Sequence, residues 1–258
     1  MIANLGSLEV VLAFADDEHI IGQRHTEWIG VAPFLEEDLA MSSIAQDELG
    51  HAAALYEIIV DEIVVDEIVV ALSDEIDVDQ LAFRRDPDDY RCCALVEHPN
   101  TDWAFSLVRH WLYDVAEHHR WKALLNSSHQ RIADLAVQAF TEESYHTSHS
   151  QAMLTRLLND PESRPLLVNA LDTCLPLATS IFTPAPGEPL ALQDGLITDT
   201  SEELFQKWKA NITTTFKEFQ LEGSMPSSNY SRLTRTQHFQ QLHSEINEVL
   251  DLAPTAPW

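Results

Sequence analysis

Four long stretches of the chain carry apolar residues at three- and four-residue spacing, the period of a helix that buries one face. Around Glu18 the stripe runs through Val11, Phe14, Ala15, Gly22 and His25. Around Glu48 it runs through Met41, Ile44, His51, Ala52 and Leu55. Around Asp114 it holds Leu107, Trp111, His118 and Trp121, and around Glu143 it holds Ile132, Ala136, Ala139, His146 and Ser150. The pattern predicts helices over about 7–29, 34–60, 101–126 and 129–158. Pro33 and Pro99 mark starts, and Asp160-Pro161 marks a stop. Further helices are expected near 162–181, 201–221 and 233–250, with Thr200 and Glu203 spaced as a capping box. Residues 183–198, which include Pro184, Pro186, Gly187 and Pro189, read as a loop. The stretch EIIVDEIVVDEIVV at 57–70 repeats a five-residue, largely β-branched unit. Five matches neither the helical nor the strand period, so this segment either extends the second helix or forms a short ribbon, with no chemical role.

Composition narrows the function classes. The 258 residues are 45% hydrophobic, enough for a sizeable core. No apolar run approaches the roughly 20 residues of a membrane span, and the N-terminus lacks the basic start of a secretory signal. Three cysteines, two of them adjacent (Cys92 and Cys93) and the third Cys174, form neither a disulfide framework nor a zinc pattern. A reducing cytoplasm is the expected location. With 15 basic against 42 acidic residues, the net charge is −27. That argues against nucleic-acid binding, which needs clustered Lys and Arg.

The acidic interruptions of the stripes have a register. Glu18 and Glu48 are 30 residues apart with Pro33 at their midpoint, and Asp114 and Glu143 are 29 apart about the polar turn NSSHQ. In an antiparallel hairpin, residues equidistant from the turn lie level. Each hairpin therefore sets one carboxylate beside a Glu-x-x-His pair, Glu48/His51 or Glu143/His146, whose members share a helix face. Two such hairpins packed together bring four carboxylates and two imidazoles into one bundle core, the ligand set of a ferritin-like di-iron or di-manganese site. Carboxylate oxygens can bridge two metals and imidazole suits iron. Two divalent ions would offset four negative charges that otherwise repel one another in a buried site. A single Glu-x-x-His is weak evidence; two copies at mirrored positions are much stronger. Glu18, Glu48, His51, Asp114, Glu143 and His146 are the expected metal ligands. His25, His118, His119 and His149 lie near but read as supporting or core groups. Tyr113 and Tyr145 are candidate hydrogen-bond partners, and Trp103, Trp111 and Trp121 are core candidates.

The segments EWIGVAPFLEEDLAMSSIAQDELGHAAALY, LAFRRDPDDYR, LVEHPNTDWAFSLVRHWLYDVAEH and EESYHTSH, in this order, resemble the subunits of the bacterial phenylacetyl-CoA epoxidase family. The chain length and the stretch TQHFQQLHSEINEVL are similar to the C-type, structural subunit. The resemblance implies an all-α fold in one ferritin-like domain over 1–258: a four-helix bundle core at about 7–158 and C-terminal helices at about 162–250. It implies a multicomponent di-iron monooxygenase that epoxidises the aromatic ring of a CoA thioester in phenylacetate catabolism. It also implies a homologous A-type catalytic subunit, a small B-type subunit, and a flavin/iron–sulfur reductase that delivers electrons from NADPH. C-type chains of this family have lost several ligands and act as scaffolds, whereas this chain matches the A-type ligand set at all six positions above. Two readings therefore stand: an oxygenase subunit with a working site, or a scaffold with a vestigial one. A general ferritin-like iron or manganese protein is a third, weaker reading. CoA carries several phosphate charges, and Arg84, Arg85 and Arg91 lie beside Asp86, Asp88 and Asp89. The expectation is that a partner subunit supplies the basic surface for CoA.

Overall fold

The computed structural model describes residues 5–65, 77–221 and 225–252, and among these residues it contains no strand. Ten α-helices follow in chain order. The core is built by α1 (Leu8–Thr26), α2 (Leu35–Val65), α5 (Trp103–Leu124) and α6 (Gln130–Leu158). The short α3 (Val78–Phe83) and α4 (Ala94–Glu97) lie between the two hairpins in sequence. The C-terminal part adds α7 (Arg164–Ala178), α8 (Glu188–Gln193), α9 (Ser201–Glu218) and α10 (Phe239–Leu252).

The first hairpin packs α1 along α2, the second packs α5 along α6, and α2 meets α6 across the bundle. Gly22 permits the close approach of α1 to α2. A Cβ there would stand 2.9 Å from Leu49 Cγ and 3.2 Å from Glu48 Cβ. The outer side of α5 is covered by α7 and α9. One apolar cluster joins Phe105, Trp111 and Leu112 of α5 to Leu171, Trp208 and Phe239; a second joins Phe14, Leu55, Trp121 and Ile132. Trp111 and Trp121 are core groups, as their spacing predicts.

The chain's own capping chemistry sets several boundaries. Asp102 accepts from Phe105 N at 2.8 Å to start α5, and Thr200 with Glu203 forms the expected capping box of α9. Two readings of the sequence need correction. The proline-rich 183–198 segment contains α8: Pro189 occupies its first turn, where a missing N–H costs nothing and the fixed φ suits a helix. The last helix begins at Phe239 instead of 233, because Arg235 and Thr236 N are drawn to Glu97. The repeat extends α2 as far as Val65, one of the two forms expected of it, and its remainder lies outside the described residues. The short α3 and α4 had no periodic signal. Arg164–Phe182 is long and apolar enough to cross a membrane by length and composition alone, but most of it is buried against the rest of the fold.

Buried ion pairs tie the outer elements to the bundle. Asp17 of α1 accepts from Cys93 N at 2.7 Å and from Arg232 at 3.1 and 3.0 Å, and pairs with Arg120 at 2.9 Å. Asp16 takes Arg85, Arg91 N and the Tyr56 hydroxyl.

Candidate metal centre

Between the two apolar clusters the stripes turn polar. Glu18, Glu48, His51, Asp114, Glu143 and His146 are all buried. Five of the six converge in two groups that share Glu48. In each group, Glu18/Glu48/His51 and Glu48/Glu143/His146, one donor atom per residue lies within 4.8 Å of the others. His51 Nδ1 lies 3.0 Å from Glu18 Oε2, and His146 Nδ1 lies 3.0 Å from Glu143 Oε1 and 3.8 Å from Glu48 Oε1.

Asp114 joins neither group. Its Oδ1 lies 2.9 Å from His110 Nδ1, one turn back on α5, though its charge still acts on Glu143 and His146. The carboxylate of α5 that meets Glu18 is instead Glu117, which sequence reasoning missed. Glu117 hydrogen-bonds Glu18 and takes Arg120 at 2.8 Å. The signal was present: Asp114, Glu117 and Arg120 are spaced by three and share a face of one helix. Tyr113 donates to Glu18 Oε1 at 3.0 Å, as expected of a flanking phenol. Tyr145, the other phenol considered, is exposed and stacks on His149.

The outer nitrogens of His51 and His146 show a cross-brace. His51 Nε2 meets Glu142 at 2.8 Å, and His146 Nε2 meets Asp47 at 3.2 Å. Asp47 immediately precedes Glu48, and Glu142 immediately precedes Glu143. Each helix therefore holds the other helix's imidazole through the residue beside its own Glu. Such a partner fixes the tautomer so that Nδ1 faces inward, an arrangement usual for metal-bound histidine. Asp47 and Glu142 keep about a third of their side-chain surface exposed, so these carboxylates stay solvated while their partners do not.

Without an ion the cluster is electrostatically frustrated. Burial pushes up the carboxyls of Glu48, Glu117 and Glu143, and neighbouring carboxylates push the first two further. Burial also raises Glu18, but hydrogen bonds from Glu117 and His51 outweigh it and hold its pKa near 2. Burial opposes charge on His51 and His146, yet Glu18 raises the first to about 9, and Asp47 with Glu143 raises the second to about 11. Both Glu48 oxygens, and Oε2 of Glu143, lack any donor when ionised. Unpartnered buried acceptors cost about 1–3 kcal/mol each. A cation is the partner that satisfies them together, so the residues present fit a carboxylate- and imidazole-bound metal pair.

The signs of these shifts give a pH prediction. The His51 and His146 pKa values lie above the ordinary 6.5, so the stability they contribute to the metal-free fold is complete below pH 6.5. It is lost as pH rises through about 9 and then about 11. Metal uptake needs the same imidazoles neutral, so metal affinity rises over that window. The expected result is opposite slopes: between pH 6.5 and 9 the unfolding midpoint of the metal-free protein falls while its affinity for Fe²⁺ or Mn²⁺ increases. Parallel slopes, measured by calorimetry and metal titration, would contradict the assignment.

A bundle whose four core helices surround one buried carboxylate–imidazole cluster that could hold a metal has a ferritin-like fold. Its sequence matches the model of a family described as phenylacetic acid catabolic protein over residues 3–258, and the chain belongs to that family. It is similar to the C-type subunit of the 1,2-phenylacetyl-CoA epoxidase of Escherichia coli K12, at 26% identity over 253 residues. That alignment covers 96% of this chain and 97% of the relative.

Proposed function

We propose that this chain is a metal-binding subunit of a multicomponent phenylacetyl-CoA epoxidase, working on the aromatic ring of a CoA thioester in the cytoplasm. Glu18, Glu48, His51, Glu143 and His146 would hold two iron ions, or manganese, with Asp114 a further carboxylate facing the Glu143 half. The observation that carries the reading is the pair of donor groups sharing Glu48, with acceptor oxygens that no protein donor satisfies. Ferrous ions held there would supply oxygen activation, with electrons from NADPH through a partner flavin/iron–sulfur reductase. The chain's own residues orient and insulate. Asp47 and Glu142 fix the imidazoles, Tyr113 and Glu117 hold Glu18, and Trp121 stands 5.1 Å from His51 and helps exclude water.

The CoA end of the substrate belongs to a partner. Arg84 pairs with Asp251, Arg85 with Asp16 and Arg91 with Glu9, so the three arginines suited to phosphate are engaged within the chain. This supports a homologous A-type subunit, with a small B-type subunit beside it, as the source of the basic surface.

Similarity to a C-type subunit favours the scaffold alternative, in which the same cluster is idle. One experiment separates the two. The complex is purified with its partner chains and reductase, once with the native chain and once with Glu143→Ala. The metal-bearing reading expects the variant complex to lose the iron held by this chain and at least about tenfold in phenylacetyl-CoA turnover, the low end of what losing even an outer partner of a metal ligand costs. Equal iron and equal turnover leave the scaffold reading standing.

A further inference from the structure

The chain is at −27, yet one place in it holds more buried positive charge than it pairs. Arg109 of α5 is fully buried and has no ion-pair partner among the described residues. Its guanidinium hydrogen-bonds His98 O and Asn100 Oδ1, and its Nε meets no acceptor. Burial, and then the charge of nearby Arg24, push its pKa down to about 10. Arg24 of α1 is buried as well. It pairs with Glu27 at 2.6 Å, donates to Glu97 O at 2.7 Å and leaves its Nε without a partner. The Glu97 carboxylate is turned away, to Arg235 and Thr236 N. Among the described residues the carboxylate that acts on both guanidinium groups is Glu27, whose side chain is 37% exposed and which also accepts from Asn100. Buried charges are normally paired, because a lone one loses more hydration than the interior returns.

Arg24 lines a crevice of about 330 Å³ between the end of α1 and the start of α10. Small-molecule sites begin at roughly that size. Glu27 stands on the same side as Arg24, and Pro99, His238 and Gln241 face them, with Glu245 one turn further along α10. We propose that this crevice binds a small oxyanion, a phosphate or a carboxylate, with Arg24 as its principal partner and Arg109 as the charge behind it. The guanidinium fork matches the oxygens of either group. The open amides of a helix's first turn also favour an anion, and the first turn of α10 carries no acidic residue.

The surroundings carry the same sign. The His98 ring stands 4.8 Å from that of His238. Burial, together with the charges of His238, Arg109 and Arg24, holds the His98 pKa below its usual value although the ring donates to Pro99 O. Two acidic groups oppose an anion, and both sit toward solvent. Glu245 is exposed and takes Gln241 at 2.8 Å. Glu27 is the chain's own stand-in for the ligand: it holds Arg24 from the mouth, and an incoming oxyanion shares Arg24 with it or displaces it. None of these residues belongs to the metal centre, so the site stands whether or not the chain holds iron.

The test is calorimetric titration of the metal-free full chain with inorganic phosphate and, separately, with acetate, at matched low ionic strength set by chloride. The native chain is expected to bind one equivalent of at least one of them, and the tighter of the two identifies the class of oxyanion. Arg24→Gln should weaken binding about tenfold or more, the scale of one charge-assisted hydrogen bond. Glu27→Gln removes the internal competitor and should tighten binding by up to about fivefold, the scale of one exposed ion pair. His238→Ala, at a half-exposed position, should weaken it and replaces Arg24→Gln if that variant does not fold. The same anion should raise the unfolding midpoint of the native chain, and raise it further in Glu27→Gln. Absence of binding in both the native chain and Glu27→Gln overturns the proposal. So does binding that stays at the native affinity in Glu27→Gln and in Arg24→Gln or His238→Ala, which places the anion elsewhere on the surface.

Discussion

Glu48→Gln is expected to abolish metal loading and, at the same time, to make the metal-free protein more stable. Glu48 is the only residue common to both donor groups. Its two oxygens have no donor, and the contact with Glu18 becomes a hydrogen bond only when one carboxyl carries a proton. A glutamine amide has nearly the same shape and donates to Glu18 without a proton to lose. At pH 8 the substitution removes the repulsion from Glu18, Glu143 and Glu117 that pushes Glu48 upward together with burial. The gain is about 1–2 kcal/mol, the scale of relieving one unsatisfied buried group. The loss in metal affinity is the larger effect. A neutral amide is a weak ligand and cannot bridge two cations as a carboxylate does. The affinity should therefore fall by more than the roughly 10–100-fold that losing an outer partner of a ligand costs. Equilibrium dialysis against chelator-buffered iron and thermal unfolding of the metal-free variant measure the two halves. A variant that still binds two ions tightly, or that is less stable than the native chain without them, removes Glu48 from the centre of the site.

Much of this site was legible because height along an antiparallel hairpin is a linear function of residue number. Glu18 and Glu48 flank Pro33 at equal distance, and the structure brings them into one group. The same count paired Asp114 with Glu143, and there it is incomplete. Equal distance from a turn fixes height but not which of two carboxylates on one helix face leans toward which neighbour. Asp114 and Glu117 share that face. Arg120, a further turn on, draws Glu117 to the Glu18 side and leaves Asp114 with His110. The cross-brace of Asp47 and Glu142 was written in the sequence as an acidic residue before each Glu-x-x-His. It went unread because an acidic neighbour on a chain at −27 carries little information by itself. Short helices were illegible for a different reason. The four residues of α4 and the six each of α3 and α8 span fewer than two turns, too few for a period to show. Non-local contacts decide the start of α10, where Glu97 takes Arg235 and the backbone of Thr236 out of the helix.

Asp17, the residue before Glu18, is expected to govern stability in the opposite sense from Glu48. Its carboxylate is fully buried and faces two cations and one amide: Arg120, Arg232 and Cys93 N. Arg232 in turn donates to the carbonyls of Thr183, Arg91 and Ile181. One carboxylate on α1 therefore holds the segment before α10, the 3-10 turn after α7 and the entry to α4. Asp17→Ala leaves two buried guanidinium groups short of a counter-charge. Breaking a buried pair in this way costs about 3–5 kcal/mol, because the uncompensated charge stays inside. For a chain of this size that lowers the unfolding midpoint by roughly 2–4 °C for each kcal/mol. Arg232→Ala should cost less than Asp17→Ala, since Arg120 still neutralises Asp17. The double variant should cost less than the sum, because each substitution removes part of the other's partner set. None of the five converging donors loses a contact, so below its transition the Asp17→Ala protein should bind as much metal as the native chain. Denaturant unfolding of the three variants, with metal analysis of each, gives the answer. A cost under about 1 kcal/mol for Asp17→Ala would place Asp17 among ordinary surface pairs. A fall in metal content with the fold intact would mean that the Arg120–Glu117 link carries strain from Asp17 into the site, and that stability and metal binding are not separable at this end of α1.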